Sequence, residues 1–534
     1  MSAVEIYAIV IGSIIVIRIC SHLFAKCQEL FQGPAFWLTN HLTRTNSIFE
    51  SKWLGSWSWW SVLVQSVLIG TNLFVACYRS LDIATAARRA GEVALVNMGL
   101  FCLGPHLAFQ ADCLQVSLTK IKSIHRGTTW SFIIITTFHI VVLKPTQPVF
   151  TTKLSKQLYG VIAALAVAGI LISSIRPLRR PSYEIFLRIH QLLSVAALYA
   201  VWSHVRGSSI FAQYCSTAVI ACLGLGVVAQ IFHVLWINRM FYRGLSRSRI
   251  FRAGHAVCLV VDTPTPLRLR PGQYINLTIP GLSFCSLFQS HPFYVSFAQD
   301  HERGTRLELM IEPRCGWTSK LLRRAQAQHP AGDHALSANS YLTLFSGPHG
   351  RSIGVENYGV VILVASGWGL MAQMPYLQAL IRGFHNGTVK AQRIYLFWQL
   401  NTVADGAAAR DLLNRALLDD TFDNAYILSI SIYHLHDRIG AEELRLGRRV
   451  TFYEGAASWE SLIHNTGAWR PSRPDDHTCR NVADFNPSAF VASGRRTIVM
   501  VSAAEPIRGR VRDACQQHCS AQLQLVELDY QPQE

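Results

Sequence analysis

Two apolar stretches of this 534-residue chain each carry two histidines fourteen positions apart, His125-RGTTWSFIIITTF-His139 and His190-QLLSVAALYAVWS-His204. Neutral imidazole is a strong ligand for a metal ion or a haem iron. In a helix, at about 100° per residue, fourteen steps return a side chain to within ~40° of its starting face. At ~1.5 Å rise per residue the two rings lie ~21 Å apart along the axis, most of the thickness of a bilayer core. One further apolar segment, at about 157–175, separates the two stretches, so both helices cross a membrane in the same direction. His125 then faces His190, and His139 faces His204. Two such pairs are the ligand set of two stacked bis-histidine haems. A lone membrane histidine is more often a satisfied polar residue of a helix bundle. Identical spacing on two parallel helices favours ligation. His106 and His233 have no partner at that spacing and read as structural or pore-facing.

Apolar segments that could hold these helices occur at about 4–20, 58–77, 90–109, 125–143, 157–175, 185–205 and 212–236. Arg18 and Lys26 follow the first, which lacks a basic leading region and so reads as a signal anchor with its N-terminus outside. Seven spans then leave the C-terminal half in the cytosol. Arg176, Arg179, Arg180, Arg239, Arg243, Arg247 and Arg249 fall on the inner side, against Arg79, Arg88, Arg89, Lys144, Lys153 and Lys156 outside. On this topology His125 and His190 form the inner pair, His139 and His204 the outer.

Half of the residues are hydrophobic and the mean hydropathy is positive, which argues against a wholly soluble chain. The net charge of +17 comes from scattered basic residues that often flank apolar segments, so membrane topology explains it better than nucleic acid does. Thirteen cysteines without CxxC or zinc-like spacing predict neither a disulfide framework nor a metal cluster; Cys102, Cys215 and Cys222 sit in apolar helices as core residues.

From about Ala253 the pattern changes to short β-rich runs, HAVCLVVD, PGQYINLTI, HPFYVSF and RLELMIE, punctuated as in an antiparallel barrel. A helix follows at Gly316-WTSKLLRRAQ, whose first turn holds Thr318 and could bind a phosphate on its free N–H groups. A strand YLTLF leads into Ser346-Gly-Pro-His-Gly350. Next comes a continuous apolar run, VVILVAS at 360–366, then Gly367-Trp-Gly369 and the helical LMAQMPYLQALI. RIYLFWQL (393–400), AYILSISIY (425–433) and RTIVMVS (496–502) are further buried strands with helical segments between. This βαβ series predicts a parallel sheet, and a glycine turn after its first strand is where a dinucleotide pyrophosphate would lie. A lone GxG is as often a tight turn; its position favours the nucleotide. Residues 454–495 read as a long mobile insertion. Asn276-Leu-Thr and Asn386-Gly-Thr match the glycosylation triplet but fall in the cytosolic half.

With Arg89-Ala-Gly91…Asn97, the paired histidines, Pro271-Gly-Gln-Tyr274 and His291-Pro-Phe293, the chain resembles the ferric reductase and NADPH oxidase superfamily, in particular the fungal ferric-chelate reductases. The resemblance runs from about residue 85 to near the end. It implies N-terminal transmembrane helices at 1–84 and a transmembrane haem domain at 85–240. A ferredoxin-reductase-like β-barrel FAD domain at 245–352 and an α/β NAD(P) domain at 355–534 would follow. By similarity His125, His139, His190 and His204 hold two b-type haems. His291, Pro292, Phe293 and Tyr294 lie on the flavin-contacting strand, Gly316, Trp317 and Thr318 near the FAD pyrophosphate, and Gly367, Gly369 and Pro375 at the NADPH site.

Three positions depart from the family pattern. Tyr294 stands where a Thr or Ser hydroxyl usually reaches flavin N5, with Tyr294 or Ser296 as the candidate substitute. Ser502-Ala-Ala-Glu-Pro506 replaces the usual Cys-Gly-Pro. Tyr530 stands four residues before the last residue given and is a candidate flavin-stacking residue.

The implied activity is transfer of electrons from cytosolic NADPH through FAD and two haems to ferric, or cupric, chelates across the membrane, the plasma membrane being the family's usual place. A superoxide-producing oxidase is the alternative, against which no D-x-D-x-D-G calcium loop precedes the membrane half in this sequence. A pseudo-reductase scaffold that kept the fold without the chemistry is the third reading; the departures above fit it, the four histidines do not.

Overall fold

The structure is a computed structural model that describes residues 2–23, 47–51, 55–102, 107–114, 116–143, 156–179, 181, 183–238, 244–282, 286, 289–302, 304–314, 316–327, 340–400, 403–421, 426–434, 449–459, 496–517, 523–528 and 530. His106, Arg180, Arg239, Arg243, Lys144, Lys153 and most of the expected insertion at 454–495 lie outside these. The chain forms two compact units, 1–233 and 234–534, taken here one at a time.

The first unit is helical. Its elements are α1 (Ala3–Leu23), a hairpin of β1 (Ser47–Ser51) and β2 (Gly55–Ser58), α2 (Trp59–Cys77), α3 (Ile83–Phe101), α4 (Leu107–Cys113), α5 (Leu118–Leu143), α6 (Lys156–Ser173), α7 (Tyr183–Val205) and α8 (Ile210–Ile237). By length and composition, α5, α7 and α8 are the described helices able to cross a membrane; Ala3–Ile14, Ser61–Cys77 and Gln157–Ser173 are shorter apolar helices. The span expected at 90–109 is α3, which starts earlier, where the carboxylate of Asp82 accepts from the Thr85 N–H at 2.5 Å. It carries Arg88, Arg89 and Glu92 in its first half and stops at Phe101, just before Gly104-Pro105 in the sequence.

Small side chains let the helices of this unit approach closely. Ala86, Ala87, Ala90 and Ala94 are buried on α3, and Ala163 and Ala166 on α6. Two buried polar pairs join helices inside the bundle. Asn72 donates to Ser131 Oγ at 2.5 Å, and the Tyr7 hydroxyl to Asn97 Oδ1 at 3.2 Å. Such pairing ties α2 to α5 and α1 to α3, because an unpaired amide away from water is costly.

The second unit joins an antiparallel region to a parallel sheet. Its first strands are β3 (Arg247–Ala253), β4 (Ala256–Asp262), β5 (Tyr274–Thr278), β6 (His291–Tyr294), β7 (Phe297–His301) and β8 (Gly304–Ile311). Then come α9 (Trp317–Ala327), β9 (Ser340–Leu342) and β10 (Leu344–His349). They form a five-stranded sheet, β7-β8-β4-β3-β9, and a three-stranded sheet, β10-β5-β6. The described strands of these two sheets enclose one core of Ile250, Leu259, Ile275, Leu307, Trp317 and Phe345, consistent with the expected antiparallel barrel. Pro292 is accommodated because β6 is an edge strand and needs no N–H for a second neighbour. Asn276 on β5 is buried with its amide 3.4 Å from Ser346 Oγ, a poor glycan acceptor.

The parallel sheet has the order β14-β13-β12-β11-β15-β16, with β11 (Val360–Ser366), β12 (Arg393–Leu400), β13 (Leu428–His434), β14 (Val450–Glu454), β15 (Thr497–Ser502) and β16 (Leu523–Glu527). α10 (Leu370–His385), α11 (Val403–Asp419) and α12 (Glu505–Gln517) connect them. Every residue of β11 is buried, as its unbroken apolar run requires. The edge strands β14 and β16 were not expected from the sequence. At the end of α11, buried Asp420 accepts from the N–H groups of Ile427 and Leu428 and from Arg449 Nη1 at 2.7 Å. Arg449→Leu leaves that carboxylate without its counter-charge. It should lower the stability of this unit by about 3 kcal/mol, measured by urea unfolding, the two backbone donors holding the loss at the low end of the range for buried pairs.

Candidate functional site

Helices α5 and α7 bring the four histidines into two pairs. The ring centroids of His125 and His190 are 6.4 Å apart with planes at 54°; those of His139 and His204 are 6.5 Å apart at 88°. Two imidazoles bound to one metal from opposite sides, each at about 2 Å through a ring nitrogen, have centroids roughly 6 Å apart. Both pairs therefore fit a bis-histidine haem iron. His139 is oriented by α3, where its Nδ1 lies 2.8 Å from the carbonyl oxygen of Ala87. That bond keeps the proton on Nδ1 and the lone pair on Nε2, the state a ligand needs. His190 rests on Phe186, centroids 5.6 Å apart, and its buried Nδ1 has no hydrogen-bond partner. His233 pairs with neither set; its ring meets Phe109 at 6.1 Å.

In the second unit the residues expected around a flavin gather on β5, β6 and the start of α9. The His291 ring stacks on Trp317 at 4.7 Å, and Phe293 stacks on the same indole at 5.7 Å. Thr318 Oγ1 accepts from the Arg314 N–H at 2.8 Å, which fixes the turn entering α9 at Gly316. Trp317 is almost fully buried, with no partner for its indole N–H. Pro292 is exposed beside these rings. Arg314 forms a two-nitrogen contact with Glu312 at 3.0 and 2.8 Å.

Tyr294 stands next to Tyr274, its cross-strand partner, and next to Tyr530, at 5.6 Å each. Loss of water around the Tyr530 hydroxyl pushes its pKa up to about 12, so it stays neutral at physiological pH. Ser502, which stands where the family pattern has cysteine, donates through Oγ to the Tyr530 carbonyl at 2.8 Å. Ser296 is the other candidate for the flavin N5 contact. It is fully buried, with Oγ 3.5 Å from the Met371 sulfur and its carbonyl accepting from Gln378. Cys258 is likewise no reactive thiol, because burial pushes its pKa up to about 12.

The glycine turn at the end of β11 lies at the point where the strand order reverses, β12 on one side and β15 on the other. Gly367 has φ +45°, and its carbonyl accepts from Trp398 Nε1 at 2.9 Å. Gly369 permits a close approach: a Cβ there would stand 1.9 Å from the Ser502 carbonyl oxygen. Ser366 Oγ accepts from the Ala504 N–H at 2.8 Å, so three strand ends are knitted together. Pro375 lies inside α10, one residue before the buried Tyr376. The oxygen of Tyr376 accepts from the Ile353 N–H at 3.1 Å, and its ring leaves no room for a Cβ on Gly272. Across the same seam Arg415 of α11 grips Glu308 of β8 at 3.1 and 2.5 Å and covers the Phe297 ring at 4.3 Å. None of these contacts between flavin-side and nucleotide-side residues has a sequence signature.

Residues 90–201 match the model of the ferric reductase like transmembrane component, and residues 252–353 match that of an FAD-binding domain. With its apolar helices, this makes the chain a membrane protein. It is 22% identical to the "Probable cell surface ferric reductase kap2" of Aspergillus oryzae, over 63% of this chain and 48% of that one. It is 28% identical to ferric/cupric reductase transmembrane component 2 of Saccharomyces cerevisiae, over 39% of this chain and 27% of that one. A protein with the same descriptive name from Schizosaccharomyces pombe is 22% identical, over 55% and 58%. The chain thus spans about half or less of the length of the first two relatives.

Proposed function

We propose, for a chain whose residues 90–201 match the ferric reductase like transmembrane component, that it is an NADPH-dependent ferric-chelate reductase working across a membrane. Residues 85–240 would hold two b-type haems, 245–352 FAD and 355–534 NADPH, with the last two domains cytosolic and the plasma membrane the place of action. The single observation that carries this reading is the pair of histidine pairs at 6.4 and 6.5 Å, on the same chain as an FAD-binding domain. When bound, the flavin accepts electrons two at a time and the haems pass them singly, which matches a hydride donor to a one-electron metal acceptor.

The chain's own residues supply placement. Gly367 and Gly369 hold the turn open for a dinucleotide pyrophosphate, beside the N-terminus of α10. His291 and Phe293, stacked on Trp317, fix the edge strand and the α9 N-terminus as one surface for the FAD phosphates. Tyr294, Tyr274 and Tyr530 form an aromatic wall of the kind a flavin ring packs against. His125 with His190 would hold the inner haem, His139 with His204 the outer. Ferric or cupric chelates are the acceptors that such an outer centre can reduce without a dedicated ligand.

A dithionite-reduced minus oxidised spectrum of the purified chain, with haem counted per protein, tests the centre of the proposal, and two b-type haems are expected. Anaerobic assay with NADPH then tests the acceptor. Reduction of external ferric chelate should persist without oxygen, whereas an oxidase would make superoxide only in its presence. A folded, FAD-containing protein without haem would point to a flavin-only reductase or a scaffold.

A further inference from the structure

His139 and His204 are each backed by a glycine from a neighbouring helix. A Cβ built on Gly91 of α3 would fall 2.9 Å from both Cε1 and Nδ1 of His139. One built on Gly160 of α6 would fall 3.0 Å from the same two atoms of His204. Two helix pairs with no residue in common, α3 with α5 and α6 with α7, thus repeat one contact. In both, the imidazole meets bare backbone through the edge that carries Nδ1. On α3 the carbonyl of Ala87, one turn before Gly91, lies 2.8 Å from the same Nδ1. The other histidine pair lacks this arrangement. The Cβ position of Gly127, two residues after His125 on α5, meets Gln65 Oε1 at 3.0 Å, and His190 leans on Phe186 instead.

We propose that Gly91 and Gly160 are positioning residues that set the depth and ring angle at which His139 and His204 present Nε2 to a metal centre between them. This rests on reading the four histidines as haem ligands. A methyl group at either position occupies the space of the ring edge. The ring of His139 is tied to the Ala87 carbonyl, so it must turn or slide and loosen that bond. Groups that orient a metal-ligating histidine typically change metal affinity by about 10–100-fold when lost. The bland alternative is that both glycines serve only close helix packing, as small residues do in membranes. Gly169 on α6 provides the comparison, since its Cβ position meets the flexible end of Leu193 at 3.1 Å and no histidine.

The experiment uses the full chain, purified in detergent with both haems, and records low-temperature electron paramagnetic resonance with a haem count. It also follows loss of haem to excess apomyoglobin. Gly91→Ala and Gly160→Ala should each shift the g values of one of the two low-spin ferric signals and release that haem about 10–100-fold faster. The second signal should stay unchanged, and Gly169→Ala should leave both as they were. Unshifted signals and wild-type haem release in both alanine variants would overturn the proposal. So would equal perturbation of both haems, or the same effect from Gly169→Ala, since each marks a packing role alone. A wild-type chain with no haem at all would instead defeat the ligand reading on which the proposal rests, a result separate from any variant.

Discussion

Replacing His139 or His204 with leucine should remove one haem of two and bring reduction of external ferric chelate to background, while NADPH still reduces the flavin. Leucine has a similar volume but no lone pair, so the iron keeps at most one imidazole and a bis-histidine centre cannot form. The first unit has other polar contacts to hold it, among them Asn72 to Ser131 and Tyr7 to Asn97, so the helices should still assemble. Haem per protein and flavin bleaching under anaerobic NADPH are the two measurements. Ferric reduction at the normal rate in either variant would show that the pairing His139–His204 serves packing and not electron delivery.

The second large effect is expected from Gly369→Val. A Cβ there would sit 1.9 Å from the Ser502 carbonyl oxygen, and a strand backbone in the centre of a parallel sheet cannot swing aside as a side chain could. Overpacking of this kind costs about 3 kcal/mol, the upper part of the usual range, equivalent to about a hundredfold in an equilibrium or a rate. The turn that carries Gly367 and the start of α10 must then move away from β15, so NADPH-dependent flavin reduction should fall by about that factor. Haem content should not change. Gly509→Ala is the matched control, because the Cβ position of Gly509 in α12 has nothing within 4 Å. A Gly369→Val protein that oxidises NADPH normally would show that the turn is not part of the nucleotide site.

What the sequence disclosed followed the range of the interaction concerned. Four of the six parallel strands were legible, because β11, β12, β13 and β15 are apolar runs buried on both faces. β14 and β16 were missed because an edge strand keeps polar residues, as in VTFYE and LQLVE, and resembles a loop. The alternation in LQLVE was the one usable signal. The start of α3 at Ile83 was hidden by Arg88 and Arg89, which break an apolar window, although Asp82 is a helix-capping residue type that marked it. The paired histidines could be read because their spacing lies within one helix. The contacts of Gly91 and Gly160 could not, although Gly91 stood in a motif that carried the resemblance, since each glycine meets a ring brought by another helix. The contacts of Ser296 with Met371 and Gln378 of α10 were equally hidden, since they join residues more than seventy positions apart.

That seam between the antiparallel strands and the parallel sheet bears on how the second unit can be divided. The chain passes from one region to the other at about residues 350–359, a stretch a sequence reader would choose for a cut. The surfaces on either side are not finished ones. Gly272 is shaped to the Tyr376 ring, Glu308 is held by Arg415, and Ser296 is covered by Met371. Severed there, each half would expose a buried tyrosine, an unpaired carboxylate or an uncovered hydroxyl. The two regions should therefore unfold together, in a single transition, and not one after the other.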